Sequence, residues 1–225
     1  MSALMPAQRF SADGFLVLDQ LLSPTQLAAL RADCAAVLDA AAPQDVSRDR
    51  GCVFETASDC VRAASSSFWA SRPAAAAVLR SSPLLLLVTT LLGDCPALCL
   101  LNEQYVVKPA HSGPAAAFAW HRDGDWCSDT ARPRYLSLWC PLDDCSEDNG
   151  TLLVAPGSHR SGAPTLEPFV CTVAAGSCVV LSDAVLHCSG PNLADSPRRV
   201  WMPQLAAAPV LRSDGSPVAL AVPLS

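Results

Sequence analysis

The alternation of short apolar segments with turn residues, from about residue 95 onward, is the feature that most constrains how this chain can fold. Clusters of Gly, Pro, Asn and Asp separate the segments, a pattern typical of consecutive β-strands. About eight short strands with this punctuation favour a sandwich, a barrel or a jelly roll. The predicted strands are residues 98–108, 117–122, 134–142, 151–155, 168–173, 177–182, 184–188, 198–205 and 217–223.

The part of the chain before residue 95 carries mainly helical patterns. A short apolar strand is predicted at 15–18, after a turn signal. Ser23 and Pro24 then form an N-cap with proline at the first helical position, and apolar residues recur at helical spacing to about residue 40. Pro73 and Pro83 mark two more helix starts, and the second of these helices is predicted to end at a glycine near residue 93.

The order of these patterns indicates the fold class. Residues 41–66 are polar and irregular, which predicts a loop over the site. Helices in residues 1–95 come before strands in residues 96–225, and this order favours a β-rich α+β fold with the N-terminal helices packed on one face of a β-core. A length of 225 residues suits one domain over 1–225, and a hydrophobic content of 51% is enough to fill its core.

Charge and apolar runs exclude several classes of function. The net charge is −6, and no run of Lys or Arg stands out, so nucleic acid is not an expected partner. The longest apolar run, residues 84–92, is far shorter than the roughly 20 residues that span a bilayer. Residues 1–10 lack the pattern of a signal peptide, which predicts a cytoplasmic, intracellular protein, with an organellar location left open. A monomer is the expected oligomeric state.

The eleven cysteines are expected to be reduced core residues. They form no CxxC pair and have no cluster of histidines beside them, which argues against a zinc site. A disulfide framework is not expected without a secretory signal. The thiols are therefore interpreted as small apolar side chains.

Two of the four histidines stand in a context that indicates chemistry. In a strand, residues two apart point to the same face, so His121 and Asp123 could aim at one point. An imidazole and a carboxylate are two of the three ligands in the 2-His-1-carboxylate set that binds Fe(II) and leaves positions open. This HxD motif is weak alone, because a polar strand end or a turn explains it equally well.

The second histidine follows an apolar run that ends at His187, which would place it at the rim of the core. A loop rich in Ser, Gly, Pro and Asn comes next, and Arg198 then enters another apolar strand. Because such a loop folds back, Arg198 could return beside His187, where its guanidinium could bind a carboxylate with two parallel hydrogen bonds. Arg199 alternates with Arg198 and is expected to face away and pair at the surface.

Five segments, in order, resemble the phytanoyl-CoA dioxygenase family of Fe(II)/2-oxoglutarate oxygenases, and in particular its short phytanoyl-CoA dioxygenase domain-containing proteins. The segments are DGFLVLDQLLSPTQLAALRAD, LLNEQYVVKP, WHRDGDW, PRYLSLWCPLDDCSEDNGTLLVAPGSHRSG and HCSGPNLADSPRRVW. They extend over nearly the whole chain, and the last two are specific. The resemblance implies a double-stranded β-helix, the jelly-roll core also found in cupins.

The resemblance also implies roles for individual residues. The family's metal ligands fall on His121, Asp123 and His187, and the arginine that grips the distal carboxylate of 2-oxoglutarate falls on Arg198. Further co-substrate contacts are implied at Trp139, Ser189, Gln104 and Asn102. Family members often have a lysine further upstream that reaches the co-substrate, but the segment CVRAASSSFW contains none. Arg62 in that segment is a candidate to replace it.

The activity implied by the resemblance is oxidative decarboxylation of 2-oxoglutarate to succinate and CO₂, with O₂ as oxidant, coupled to hydroxylation of a small molecule. Related halogenases replace the carboxylate ligand with a small residue, so Asp123 favours hydroxylation. Three alternatives stay open: a non-catalytic member that binds iron and 2-oxoglutarate as a sensor or scaffold, a cupin-type metalloenzyme without 2-oxoglutarate, and a binding module without metal.

Overall fold

The computed structural model describes residues 6–40, 52–55, 70–127, 133–161 and 167–224. Most helices lie in the first part of the chain and most strands in the second, as the sequence predicts. The helices are α1 (Pro6–Asp13), α2 (Pro24–Ala40), α3 (Pro73–Leu79), α4 (Ser82–Leu92) and α5 (Ser158–Ser161). Single 3₁₀ turns are formed by Pro114–Ala116, Asp123–Cys127 and Glu147–Asn149.

Eleven strands are found in the described ranges, and they form two antiparallel sheets. They are β1 (Phe15–Leu18), β2 (Cys52–Glu55), β3 (Cys99–Lys108), β4 (Phe118–His121), β5 (Tyr135–Pro141), β6 (Leu152–Val154), β7 (Phe169–Val170), β8 (Cys178–Ser182), β9 (His187–Ser189), β10 (Arg198–Ala206) and β11 (Val222–Pro223). The major sheet has the order β1-β8-β5-β10-β3-β11, and β2 also pairs with β3. The minor sheet has the order β4-β9-β6-β7. Two facing antiparallel sheets with this crossed strand order form a double-stranded β-helix, which confirms the expected jelly-roll core.

Successive side chains along each strand point to opposite faces of the major sheet, and they form a separate hydrophobic cluster on each face. On β10, Val200 and Met202 face the minor sheet, whereas Trp201 and Leu205 join the cluster that contains the helical residues. The same alternation on β5 turns Trp139 toward the minor sheet. The inner face of the major sheet therefore carries the site, and its outer face carries the helices.

Helices α1 to α4 pack on the outer face of the major sheet. Leu30 of α2, Leu79 of α3 and Val88 of α4 are fully buried there against Leu138 and Trp201. Among the described residues no single helix is long and apolar enough to cross a bilayer; α3 and α4 reach that length only together, with a bend of 61° between them.

Four sequence predictions differ from the structure, one of them the strand predicted at 168–173, of which only Phe169–Val170 forms a strand. The segment 41–66 contains β2, which pairs with β3, so it is not entirely a loop; the rest of that segment lies outside the described residues. The strand predicted at 184–188 begins only at His187, because the Leu186 N–H bonds the Ser158 hydroxyl instead of a neighbouring strand. Of the strand predicted at 217–223, only Val222–Pro223 pairs in the sheet.

Candidate metal centre

Three side chains from three different loci converge at the mouth of the cavity between the sheets. His121 ends β4, Asp123 begins the 3₁₀ turn that follows it, and His187 begins β9. Asp123 Oδ1 lies 3.7 Å from His121 Nε2 and 3.6 Å from His187 Nε2. All three candidate ligand atoms lie within 4.8 Å of one another, which is close enough for one metal ion to bind all three.

The convergence of His121 and Asp123 has a different cause from the one predicted. The two residues do not share a strand face, because β4 ends at His121 and the chain turns into a 3₁₀ helix. The Asp125 carboxylate accepts the Arg122 N–H at 3.1 Å, and Gly124 N–H donates to the Asp183 carbonyl at 2.8 Å. These bonds fold the chain tightly after His121 and swing the Asp123 carboxylate back toward the imidazole.

Backbone hydrogen bonds orient both imidazoles for metal binding. His121 Nδ1 lies 2.7 Å from the Ala119 carbonyl, and His187 Nδ1 lies 3.1 Å from the Val185 carbonyl. A carbonyl accepts only, so each Nδ1 carries the proton and each Nε2 keeps its lone pair for the metal. Burial lowers the pKa of His187, and Asp123 opposes this shift without cancelling it. The buried ring is therefore neutral, which is the form that binds a metal.

Polar residues that sequence reasoning missed hold the Asp123 carboxylate. The Ser137 hydroxyl donates to Asp123 Oδ2, and the Gln204 side-chain amide donates to Ser137 Oγ at 3.1 Å. The Tyr135 hydroxyl donates to the Asp123 backbone carbonyl. Ser137 and Gln204 are cross-strand partners on β5 and β10, both buried on the site-facing side.

Arg198 enters β10 inside the same cavity as a buried cation. Its side chain is 1% exposed, and its Nε and Nη1 atoms have no hydrogen-bond partner in the part of the chain that the structure describes. Nη2 donates to the Gly150 carbonyl at 3.2 Å, and the guanidinium lies 5.6 Å from the centre of the Trp139 ring. Burial lowers the pKa of Arg198 to about 10, so the group is still charged at neutral pH. An unpaired buried charge is costly, and it is typical of a site that binds an anion.

The cavity has a volume of about 120 Å³ and contains both the three candidate ligands and Arg198. Its other lining residues are Gln104, Val106, Phe118, Trp139, Leu152, Cys188, Ser189 and Met202. Three of the four further co-substrate contacts expected from the sequence therefore line it. Asn102 does not line the cavity, and its side-chain amide donates to Gln104 Oε1 at 3.2 Å.

The upstream lysine of the family has no match in the sequence, and the structure places a second buried cation beside Arg198. Arg62 lies outside the described residues, so its proposed role stays a prediction. Lys108, at the end of β3, pairs in register with Arg198 and is fully buried. Burial and the neighbouring Arg198 lower the pKa of Lys108 to about 7. Lys108 is the chain's only lysine and falls in a predicted strand, but its place beside Arg198 depends on the strand register.

The remaining histidines and Arg199 stand apart from this cluster. His159 is half-buried and lies 3.2 Å from the Ser11 carbonyl, and exposed His111 pairs with Asp195 at 2.9 Å. Arg199 faces away from the cavity, as predicted, and forms an ion pair with Asp143 at 2.6 Å. The donors that meet at the centre are thus two imidazole nitrogens and one carboxylate oxygen. That set fits Fe(II) with open coordination positions, and the unpaired guanidinium fits a carboxylate-bearing co-substrate.

A family model described as phytanoyl-CoA dioxygenase (PhyH) matches residues 10–200. The chain belongs to the phytanoyl-CoA dioxygenase family. The matched range contains all three candidate metal ligands and Arg198, so the match and the geometry concern the same part of the molecule.

The named relatives of the chain include an ectoine dioxygenase and a phytanoyl-CoA dioxygenase domain-containing protein. An ectoine dioxygenase from Nocardia farcinica is 32% identical over 158 residues, which cover 69% of this chain and 50% of the relative. Phytanoyl-CoA dioxygenase domain-containing protein 1 from Bos taurus is 29% identical over 126 residues, which cover 45% of this chain and 43% of the relative. The chain therefore spans about half the length of the curated relatives it matches.

Solved structures agree with the fold. The nickel complex of the non-haem monooxygenase ThoJ is 28% identical, with a TM-score of 0.71, and the match covers 97% of this chain and 84% of that one. EvdO2 from Micromonospora carbonacea var. aurantiaca, complexed with 2-oxoglutarate, is 22% identical, with a TM-score of 0.71 and 96% of each chain covered.

Proposed function

We propose that this chain is an Fe(II)- and 2-oxoglutarate-dependent dioxygenase that hydroxylates a small molecule and releases succinate and CO₂. The observation that carries the proposal is the pairing of two half-sites in one cavity. One half is a 2-His-1-carboxylate set, and the other is a buried guanidinium with two donor atoms that have no partner among the described residues. A metal alone would not require the cation, and an anion site alone would not require the ligands.

The proposed roles follow from the chemistry of each group. Fe(II) would be held by His121, Asp123 and His187. When bound, the metal supplies O₂ activation and a Lewis-acidic centre for the keto acid. The Arg198 guanidinium would donate to the distal carboxylate, because its Nε and Nη1 donors have no acceptor among the described residues. The Trp139 ring, which stacks near the guanidinium, would fix its plane.

The apolar wall of the cavity supports a role in excluding water. Val106, Leu152 and Met202 line it beside the polar groups. Electrostatic contacts strengthen where water is excluded, so the Arg198 contact would be stronger here than on the surface. The relatives named ectoine dioxygenase support a small-molecule substrate.

The test is an anaerobic titration of apo-protein with Fe(II) and then 2-oxoglutarate, following the visible charge-transfer band of the chelate. We expect the band in the wild type, none in His121→Ala, and a much higher 2-oxoglutarate requirement in Arg198→Ala. Arg199→Ala is the matched control, because the neighbouring Arg199 pairs with Asp143 outside the cavity. Wild-type protein that retains no Fe(II) and forms no band would contradict the proposal.

Turnover separates an enzyme from a binding protein with the same site. Succinate release in air, measured with a panel of candidate small molecules, is expected to require Fe(II) and to be lost in His121→Ala. In the opposite outcome, the wild type shows the charge-transfer band of the chelate but releases no succinate, either with the candidate substrates or without them. That result would instead favour a sensor or scaffold.

A further inference from the structure

Lys108 occupies a position that the proposed co-substrate roles do not use. It is the only lysine among the 15 Lys and Arg residues of the sequence, and it is fully buried. A lysine that is buried without a carboxylate partner is expensive to fold. Its contacts therefore need an explanation in terms of the neighbouring site.

The Lys108 amine binds the start of the loop that follows β9. Nζ donates to Ser189 Oγ at 2.7 Å, to the Ser189 carbonyl at 3.3 Å, and to the Gly190 carbonyl. An ammonium group has three N–H donors and no acceptor, and three oxygens surround it here. The amine thus matches this cluster of acceptors, which the planar fork of an arginine would not.

The bond to Ser189 determines what the serine hydroxyl can do. Because Lys108 donates to Oγ, the Ser189 hydroxyl hydrogen must point away from Lys108. No acceptor for it is found among the residues that the structure describes, and Ser189 lines the cavity that also contains Arg198. The free hydrogen is thereby available to an anion in that cavity.

The Gly150 backbone also packs closely against this loop. Gly150 has a positive φ of 73°, and a Cβ there would lie 2.5 Å from the Gly190 carbonyl oxygen. The Gly150 carbonyl in turn accepts a bond from Arg198 Nη2 at 3.2 Å. The loop thus accepts hydrogen bonds from Lys108 and packs closely against Gly150, next to the Arg198 guanidinium.

We propose that Lys108 is a positioning residue for 2-oxoglutarate: it holds Ser189 so that the serine hydroxyl, together with Arg198, donates to the distal carboxylate. The inference rests on the proposed function and deepens it. Lys108 itself does not touch the co-substrate, since its donors are directed to the loop. Its effect passes through Ser189.

A double-mutant cycle of Lys108→Met and Ser189→Ala tests this route. The readouts are the dissociation constants of Fe(II) alone and of 2-oxoglutarate at saturating Fe(II), from the anaerobic titration. Each single variant is expected to weaken 2-oxoglutarate binding by about tenfold or more and to change Fe(II) affinity by less than about twofold. In the Ser189→Ala background, Lys108→Met is expected to add less than about twofold.

A purely structural role would give a different pattern. Val107→Ala is the control, because Val107 is buried on the same strand but faces the helices. It is expected to lower the melting temperature without changing the 2-oxoglutarate dissociation constant. Full additivity of the two active-site variants, or a Lys108→Met protein that binds 2-oxoglutarate like the wild type, would overturn the inference while leaving the proposed function intact.

The wild type provides a second test should Lys108→Met fail to fold. Because the chain has one lysine, ¹³Cε-lysine labelling gives a single side-chain NMR signal from Lys108. With Zn(II) as a diamagnetic metal, adding 2-oxoglutarate is expected to shift this signal in the wild type and not in Arg198→Ala. An unshifted signal at saturating 2-oxoglutarate would overturn the inference, and a wild type that binds no 2-oxoglutarate would overturn it together with the proposed function.

Discussion

The two oxygens of the Asp123 carboxylate have different surroundings, and this difference sets the geometry of the centre. Oδ2 accepts the Ser137 hydroxyl, whereas Oδ1 lies nearest to both imidazoles. A serine hydroxyl has one hydrogen, and the Gln204 amide already donates to its oxygen. The chain from Gln204 through Ser137 therefore reserves Oδ1 for the metal.

Ser137→Ala is predicted to weaken Fe(II) binding by about 10–100-fold, the usual loss when the hydrogen bond that orients a ligand is removed. The reason is that the freed carboxylate can rotate away from the two imidazoles. Fe(II) affinity by anaerobic titration is the measurement, and the melting temperature of apo-protein controls for folding. Ser177→Ala removes another buried serine, away from the cavity, and should leave the affinity unchanged.

At this scale the sequence predicted ligands better than their supports. His121, Asp123 and His187 were predicted as ligands because their residue types and order match a metal chemistry and the metal motif of the family that the chain resembles. Ser137 and Gln204 could not, because serine and glutamine are common in strands and their pairing joins residues 67 positions apart. Such a contact depends on strand register, which local patterns do not reveal.

Among the elements, the contact between helices and the major sheet contains a buried charged network. The Arg72 guanidinium, just before α3, donates to both carboxylate oxygens of Glu103 on β3, each at 3.1 Å. It also pairs with Asp33 of α2 at 2.6 Å. Trp201 of β10 donates its indole N–H to Glu103 at 2.8 Å. Glu103 is fully buried, so these bonds connect two helical segments to the strands behind the site.

Arg72→Met is predicted to lower the free energy of unfolding by about 3–5 kcal/mol, because it takes the guanidinium from a fully buried carboxylate. Denaturant unfolding followed by circular dichroism measures the change. Arg80→Met, at the end of α3 and exposed, is the control and should cost far less. A loss of under 1 kcal/mol in Arg72→Met would show that the network does not hold the helices.

The elements themselves were largely predictable where pattern and punctuation agreed. Proline-started helices and the long strands β3, β5 and β10 match their predicted ranges within about two residues. The errors fall where hydrogen bonds to side chains replace sheet bonds. The Leu186 N–H donates to the Ser158 hydroxyl, so β9 begins later than predicted. The Asp125 carboxylate accepts the Arg122 N–H, which forms the turn that ends β4. These contacts are tertiary or turn-specific, so alternation alone misplaces the boundary.

For the molecule as a whole, the jelly roll brings residues from distant strands into one cavity at a cost in stability. Arg198 and Lys108 are adjacent buried cations on β10 and β3, and burial lowers the pKa of each. A lowered pKa of a cation means that the folded environment disfavours its charge. The apo-protein therefore carries a strained site whose cost an anionic co-substrate would relieve.

The β-rich class followed from the number and punctuation of the strands, whereas the jelly roll was implied by the family resemblance; the two-sheet arrangement agrees with both. What could not be predicted is that the second cation at the site comes from β3. That placement requires the register in which Lys108 opposes Arg198, and the register is fixed by pairing along the whole of β10.

Arg198→Met is predicted to leave the stability of apo-protein unchanged or to raise it by on the order of 1–4 kcal/mol, because an unpaired buried charge is replaced by an apolar chain. The lost bond to Gly150 and the lost contact with Trp139 oppose this gain.

The stabilisation of the protein by bound 2-oxoglutarate should change in the opposite direction. In the wild type with Fe(II), 2-oxoglutarate at 100 times its dissociation constant adds about 2.7 kcal/mol, and the variant should lose that increment at the same concentration while keeping the increment from Fe(II). Melting temperatures of both proteins, measured apo, with Fe(II), and with Fe(II) plus 2-oxoglutarate under anaerobic conditions, give all the comparisons. A variant that is less stable than the wild type when apo, yet gains equally from 2-oxoglutarate, would show that the guanidinium supports the fold and not the co-substrate.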